Sequence, residues 1–165
     1  MPSVFEGDVS GEGRKFAIVV SRFNRTITDR LLEGAVECFR KHGSDVERDV
    51  EVFYCPGAFE IPAVAAKITL TGKYDAVVCL GAVVRGETPH FEYIARECAR
   101  GVSFLARERN IPLLFGVLTT DTFEQAMERA GGSAGNKGWD AALGAISMAS
   151  LYAQLDNKSA RSKQA

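Results

Sequence analysis

Residues 75–91 read DAVVCLGAVVRGETPHF. Asp75 to Val84 is the most hydrophobic run in the chain, the pattern of a strand covered on both faces. Gly81, Gly86 and Thr88 then fit the spacing G-x-x-x-x-G-x-[ST], and Pro89-His90 opens an amphipathic helix expected to end at Arg109. Ile94, Cys98, Val102 and Leu105 keep that helix's apolar period. A buried strand, a glycine turn and a helix start form the basic unit of an α/β fold. They also make a ready anion site, because the first N–H groups of a helix lack backbone partners.

The same alternation extends in both directions. Phe16 to Ser21 is a second continuous apolar run, followed by a helix over Thr26–His42 that Gly43 stops. Val50 to Tyr54 reads as a strand broken by Pro56-Gly57. Glu60-Ile61-Pro62 opens a helix reaching about Thr71, with the proline in its first turn. Pro112 to Leu118 is the fourth strand. Asp121-x-x-Glu124 is the expected cap of a helix ending at Gly131-Gly132. After a loop over Ser133–Gly138, a last helix is expected from Trp139 to about Leu155. Strands alternating with helices imply right-handed parallel β-α-β units. The expected architecture is a three-layer α/β/α sandwich on a four-stranded parallel sheet, flavodoxin-like in its layering. Residues 16–155 form one domain, between an N-terminal arm (1–15) and a polar, frayed C-terminal tail (156–165).

Bulk properties narrow the function classes. The 165 residues carry a net charge of −1, with 46% hydrophobic and 25% charged residues, so no broad basic face recommends nucleic acid. No segment supplies the ~20 consecutive apolar residues of a membrane span. The first residues resemble neither a signal nor a transit peptide, so a cytoplasmic location is expected. Cys38, Cys55, Cys79 and Cys98 are scattered without a C-x-x-C pair and read as reduced structural thiols. The last helix is apolar nearly all round, from Ala141 to Leu151, and needs cover on more than one side. Burial within one subunit or a subunit interface would each supply it.

The glycine turn resembles a nucleotide-binding P-loop but carries Glu87 where that motif needs lysine, which disfavours a magnesium triphosphate. Backbone N–H groups from Gly86 to Thr88 still suit a single phosphate, although a plain turn capped by Thr88 fits the spacing equally well. His90, beside that nest, is placed to carry a proton. The other histidine, His42, suits the end of its helix. In open parallel sheets ligands collect beyond the carboxyl ends of the strands. Phe23 leaves the first strand there and would stack on a flat heterocycle, unless it is a core residue at the sheet edge. Ala58-Phe59-Glu60 leaves the second strand at the same end. Phe115 lies too far inside its strand for this argument, and a helix-end role accounts for Arg129.

Together, Arg22-Phe23-Asn24, Pro56 to Pro62, Gly81 to His90, Phe115 to Thr119, Gln125 to Gly131 and Ala134 to Gly138 resemble the 6,7-dimethyl-8-ribityllumazine synthases of riboflavin biosynthesis. Each motif is weak alone, and six in this order are specific. The resemblance implies condensation of 5-amino-6-(D-ribitylamino)uracil with 3,4-dihydroxy-2-butanone 4-phosphate, without a metal or organic cofactor. It implies stacking by Phe23, ribityl contacts from Ala58, Phe59 and Glu60, and uracil contacts from Ala82, Val83 and Val84. It assigns phosphate to Glu87, Thr88 and Arg129, with Lys137 at the same junction, and proton transfer to His90.

Phe115 and Arg129 are expected to reach the site from a neighbouring subunit. Members of the family form pentamers, and some pack twelve of these into a hollow icosahedral shell of sixty subunits, with riboflavin synthase as an admissible cargo. The stretch Gly131–Gly138 lacks the insertion of several members that stop at pentamers, which permits a shell. Alternatives sharing the fold are an archaeal-type riboflavin synthase, a non-catalytic flavin binder and a flavodoxin-like electron carrier.

Overall fold

The computed structural model describes residues 1–164. Four parallel strands, β1 (Phe16–Ser21), β2 (Val50–Cys55), β3 (Ala76–Val84) and β4 (Leu113–Thr120), lie in the order β2-β1-β3-β4. Helices α1 (Arg25–Lys41), α5 (Phe123–Arg129) and α6 (Lys137–Gln164) cover one face of this sheet. Helices α3 (Ile61–Thr69) and α4 (His90–Glu108) cover the other. The architecture is the expected three-layer α/β/α, flavodoxin-like sandwich.

The strand patterns follow from this order. β1 and β3 are internal, so both of their faces are apolar. Phe16, Ile18, Val20, Val78 and Leu80 pack with Leu31, Phe39 and Ile146, while Ala17, Val19, Val77 and Cys79 pack with Ile61, Cys98 and Val102. β2 and β4 are edges and alternate with solvent, which leaves Tyr54 and Phe115 exposed.

Several boundaries differ from the sequence expectations for identifiable reasons. β4 continues to Thr120, because its pairing with β3 runs on to Val84–Thr120. The cap of α5 is Thr122, one residue beyond the expected Asp121. Thr122 Oγ1 accepts from Gln125 N–H at 3.1 Å and Gln125 Oε1 accepts from Thr122 N–H at 3.2 Å. Asp121 instead pairs with Arg85. The expected loop after α5 contains a small antiparallel pair, β5 (Ala130–Gly132) and β6 (Gly135–Asn136), entered through Gly131 at φ +95°. A single short helix, α2 (Val46–Asp49), precedes β2.

The last helix does not stop near Leu155 but continues into the expected tail as far as residue 164; Ala165 lies outside the described residues. α6 runs to Gln164 with an exposed end rich in Lys, Arg and Gln, good helix formers that need no apolar anchor. Part of its cover is internal. It packs against α1 so closely that a Cβ on Gly138 would sit 1.9 Å from the Leu31 carbonyl oxygen. The N-terminal arm lies along it, with Asp8 N–H donating to Ser150 Oγ at 3.0 Å and Gln154 Nε2 to the Glu6 carbonyl at 2.7 Å. None of the described helices is long and apolar enough to cross a membrane.

Candidate active site

Beyond the carboxyl ends of the strands lies a cleft of about 510 Å³. Its shape follows from a mismatch in strand length. Pairing of β3 with β1 stops at Val20–Leu80, whereas pairing with β4 continues to Val84–Thr120. One edge of residues 81–84 therefore opens toward the cleft, where Ala82, Val83 and Val84 form the floor. The chain leaving β1 is tied to the chain leaving β2: Arg22 N–H donates to the Cys55 carbonyl at 2.8 Å and Phe23 N–H to the Pro56 carbonyl at 3.0 Å. These bonds hold the Phe23 ring, 70% exposed in the single chain, at the cleft wall.

A 3-10 turn over Ala58–Glu60 forms a further part of the wall. Glu60 Oε2 accepts from Gly57 N–H at 3.0 Å, which orients the carboxylate and leaves its second oxygen without that bond. Gly86, Thr88 and His90 complete the mouth, with His90 as the first residue of α4. Phe91 and Ile94, one and four residues further on, also line it. The helical period places Ile94 in the packing stripe, and its position four residues after His90 also signals the site; Phe91, directly after His90, carries no such signal.

Glu87 lies between two lining residues and is itself exposed, as are Thr88 and His90. The loop is fastened below by Arg85. Its N–H donates to the Thr120 carbonyl at 2.9 Å, its Nε lies 2.8 Å from Asp121 Oδ1, and its guanidinium sits 4.7 Å from the Phe91 ring centre. No local pattern signals this pair, and the sequence pattern suggests a capping role for Asp121 instead, since the pairing spans the end of β3 and the end of β4.

Phe115, Arg129 and Lys137 do not join this cleft within the chain. They line a separate depression of about 220 Å³ together with residues 116–120 of the edge strand β4. Arg129 Nη1 donates to the Gln125 carbonyl of its own helix at 3.0 Å, and Lys137 Nζ lies 3.2 Å from Asp140 Oδ2. The expected helix-end setting of Arg129 is thus observed, and its guanidinium remains partly exposed.

All four cysteines are buried free thiols. Burial pushes Cys55 up to about 11, with the nearby Glu60 charge adding to the effect. Burial likewise raises Cys38 to about 11 and Cys98 to about 12, and lifts Cys79 as well. They are protonated packing groups at neutral pH, without thiolate reactivity. The cleft therefore offers apolar ring surfaces, an open strand edge, a backbone nest at a helix start, one carboxylate and one imidazole. Such a set has the groups needed to bind a flat heterocycle and an anion and to transfer a proton.

The family model for 6,7-dimethyl-8-ribityllumazine synthase matches residues 13–153. A protein of Desulfatibacillum aliphaticivorans named 6,7-dimethyl-8-ribityllumazine synthase is 53% identical over 155 residues, covering 94% of this chain and 99% of its own length. The matched region contains every element that builds the cleft and the edge depression, and the chain belongs to the 6,7-dimethyl-8-ribityllumazine synthase family.

Proposed function

We propose that the cleft and the edge depression are complementary halves of one active site, completed between neighbouring subunits. The enzyme is a transferase of riboflavin biosynthesis. It condenses 5-amino-6-(D-ribitylamino)uracil with 3,4-dihydroxy-2-butanone 4-phosphate to 6,7-dimethyl-8-ribityllumazine, releasing phosphate and water. The observation that carries the shared site is the separation of His90 and Thr88 from Phe115, Arg129 and Lys137.

In this reading Phe23 stacks on the pyrimidine and Ala82, Val83 and Val84 meet its polar edge. Ala58, Phe59 and Glu60 hold the ribityl chain. Backbone N–H groups at Glu87 and Thr88 receive the phosphate, joined by Arg129 of the neighbouring subunit and by Lys137 at the same junction. Phe115 of that neighbour covers the heterocycle. The substrate's own amine attacks the ketone to give an imine, so no protein nucleophile is needed. His90 moves protons during dehydration and phosphate elimination, while the nest and Arg129 stabilise the departing anion. Ring closure with loss of a second water completes the product. Holding two reactants together supplies much of the acceleration, as expected for an intrinsically feasible condensation.

In this reading the assembly is a pentamer, as the family resemblance implies, and the short Gly131–Gly138 hairpin leaves it free to pack further into a shell. Mixing both substrates and following lumazine fluorescence with phosphate release tests the reaction. Stoichiometric formation of the two products is expected. Riboflavin formation from lumazine alone would replace this reading by a dismutase.

A further inference from the structure

Asn24 is the only non-glycine residue with positive φ among those described, at φ 59° and ψ 49°. Asparagine tolerates this left-handed region better than other side chains, and glycine better still. Its side chain has a partner that glycine would lack: Asn24 Nδ2 donates to the Ala82 carbonyl oxygen at 3.0 Å. That carbonyl lies beyond Leu80, where β1 no longer accompanies β3. Ala82 is 3% exposed, so its carbonyl depends on a protein partner. The amide of Asn24 stands in for the strand that has ended. Its own carbonyl meanwhile accepts from Ile27 and Thr28 N–H at 2.9 and 3.1 Å and so opens α1.

We propose that Asn24 is a positioning residue for the heterocycle subsite. One residue before it, Phe23 carries the stacking ring; at the far end of its side chain, Ala82 begins the floor. The Asn24–Ala82 bond sets the gap between them. It also occupies the Ala82 carbonyl, so Ala82 meets the ligand through its other atoms. The phosphate half of the site, at Thr88, has no part in this bond. This inference rests on the proposed pyrimidine subsite, so its test includes a control for that subsite.

Asn24→Gly keeps the backbone conformation accessible and deletes the donor; Asn24→Asp keeps the shape and turns the donor into an acceptor facing a carbonyl. Steady-state kinetics on the assembled enzyme should show the pyrimidine KM raised about 10-fold in Asn24→Gly, the size of one net hydrogen bond. Asn24→Asp should raise it at least as much. In both, kcat and the KM for the phosphorylated ketone stay near wild type. A wild-type pyrimidine KM in Asn24→Gly would reduce Asn24 to a backbone device and overturn the proposal. An equal rise in both KM values would do so too. Phe23→Ala is the control: if it moves the pyrimidine KM and the Asn24 variants do not, only the Asn24 inference fails. If Phe23→Ala leaves that KM unchanged, the subsite itself is misplaced.

Discussion

His90 lines the large cleft and Arg129 the edge depression, and no side chain lines both. In the proposed reaction each half is incomplete alone. The cleft has the His90 imidazole and the Gly86–Thr88 turn at its mouth, where residues 85–90 are all exposed. The depression has two cations and an aromatic ring on an edge strand, with no histidine or carboxylate among its lining residues. In the proposed shared site, a second subunit seated against the β4 edge would bring the two sets together and cover the mouth.

Arg129→Ala is expected to raise the KM for the phosphorylated ketone by about 10-fold to 100-fold, the cost of a lost charge-assisted contact. The pyrimidine KM should stay near wild type. Separate titration of each substrate checks this, and a change confined to the pyrimidine would disprove the phosphate role.

His90→Ala should lower kcat by ~10-fold to 10³-fold, at or below the usual range for an acid–base residue. The ring is exposed at the first position of α4, so circular dichroism and melting should be unchanged. Wild-type turnover in this variant would remove His90 from the mechanism.

Much of the fold could be read from the chain because β1 and β3 are covered on both faces and show it as unbroken apolar runs. The edges were harder to place: the last residues of β4, Thr119 and Thr120, are polar and belong to the strand only through pairing with Val83 and Val84. The α5 cap was missed by one residue because Asp121-x-x-Glu124 and Thr122-x-x-Gln125 fit the same signal. The reciprocal Thr122–Gln125 bonds and the Arg85–Asp121 pair decide between them. Phe23, Ala58 and Thr88 were found from their place at strand ends. Phe115 and Arg129 had no such signal, since their surface faces sideways from a sheet edge. The left-handed turn at Asn24 depends on a carbonyl fifty-eight positions away, which no local pattern records.

Gly138→Ala should lower the melting temperature markedly. A Cβ there would stand 1.9 Å from the Leu31 carbonyl oxygen, so α1 and α6 must separate. Overpacking of this kind costs roughly 1–3 kcal/mol or more. Gly86→Ala, with nothing within 4 Å of its Cβ, is the matched control and should melt like wild type. Equal melting of the two variants would contradict the close approach.

Docking of the N-terminal arm should depend on acid pH. The Arg14 guanidinium, 3.0 Å from Asp8, holds that carboxyl at about 2, below its ordinary 3.8, with Ser10 N–H helping. A depressed carboxyl favours the ordered, ionised arm with the Asp8–Arg14 pair intact: its contribution is complete above 3.8 and disappears as pH falls through about 2. Hydrogen exchange of residues 6–10 should therefore speed up over that window relative to the α6 core. Asp8→Asn should abolish this dependence, and an unchanged profile in the variant would assign the effect elsewhere.

The most direct test of the shared site is to co-express differently tagged His90→Ala and Arg129→Ala subunits and purify the mixed assemblies through both tags. Activity is then measured with the phosphorylated ketone well below its wild-type KM. Random mixing in a ring of head-to-tail interfaces leaves roughly one interface in four with both halves intact. The mixed assemblies should accordingly regain up to about a quarter of wild-type activity, well above either homogeneous variant. Activity no higher than the average of the two variants would contradict a site divided between subunits.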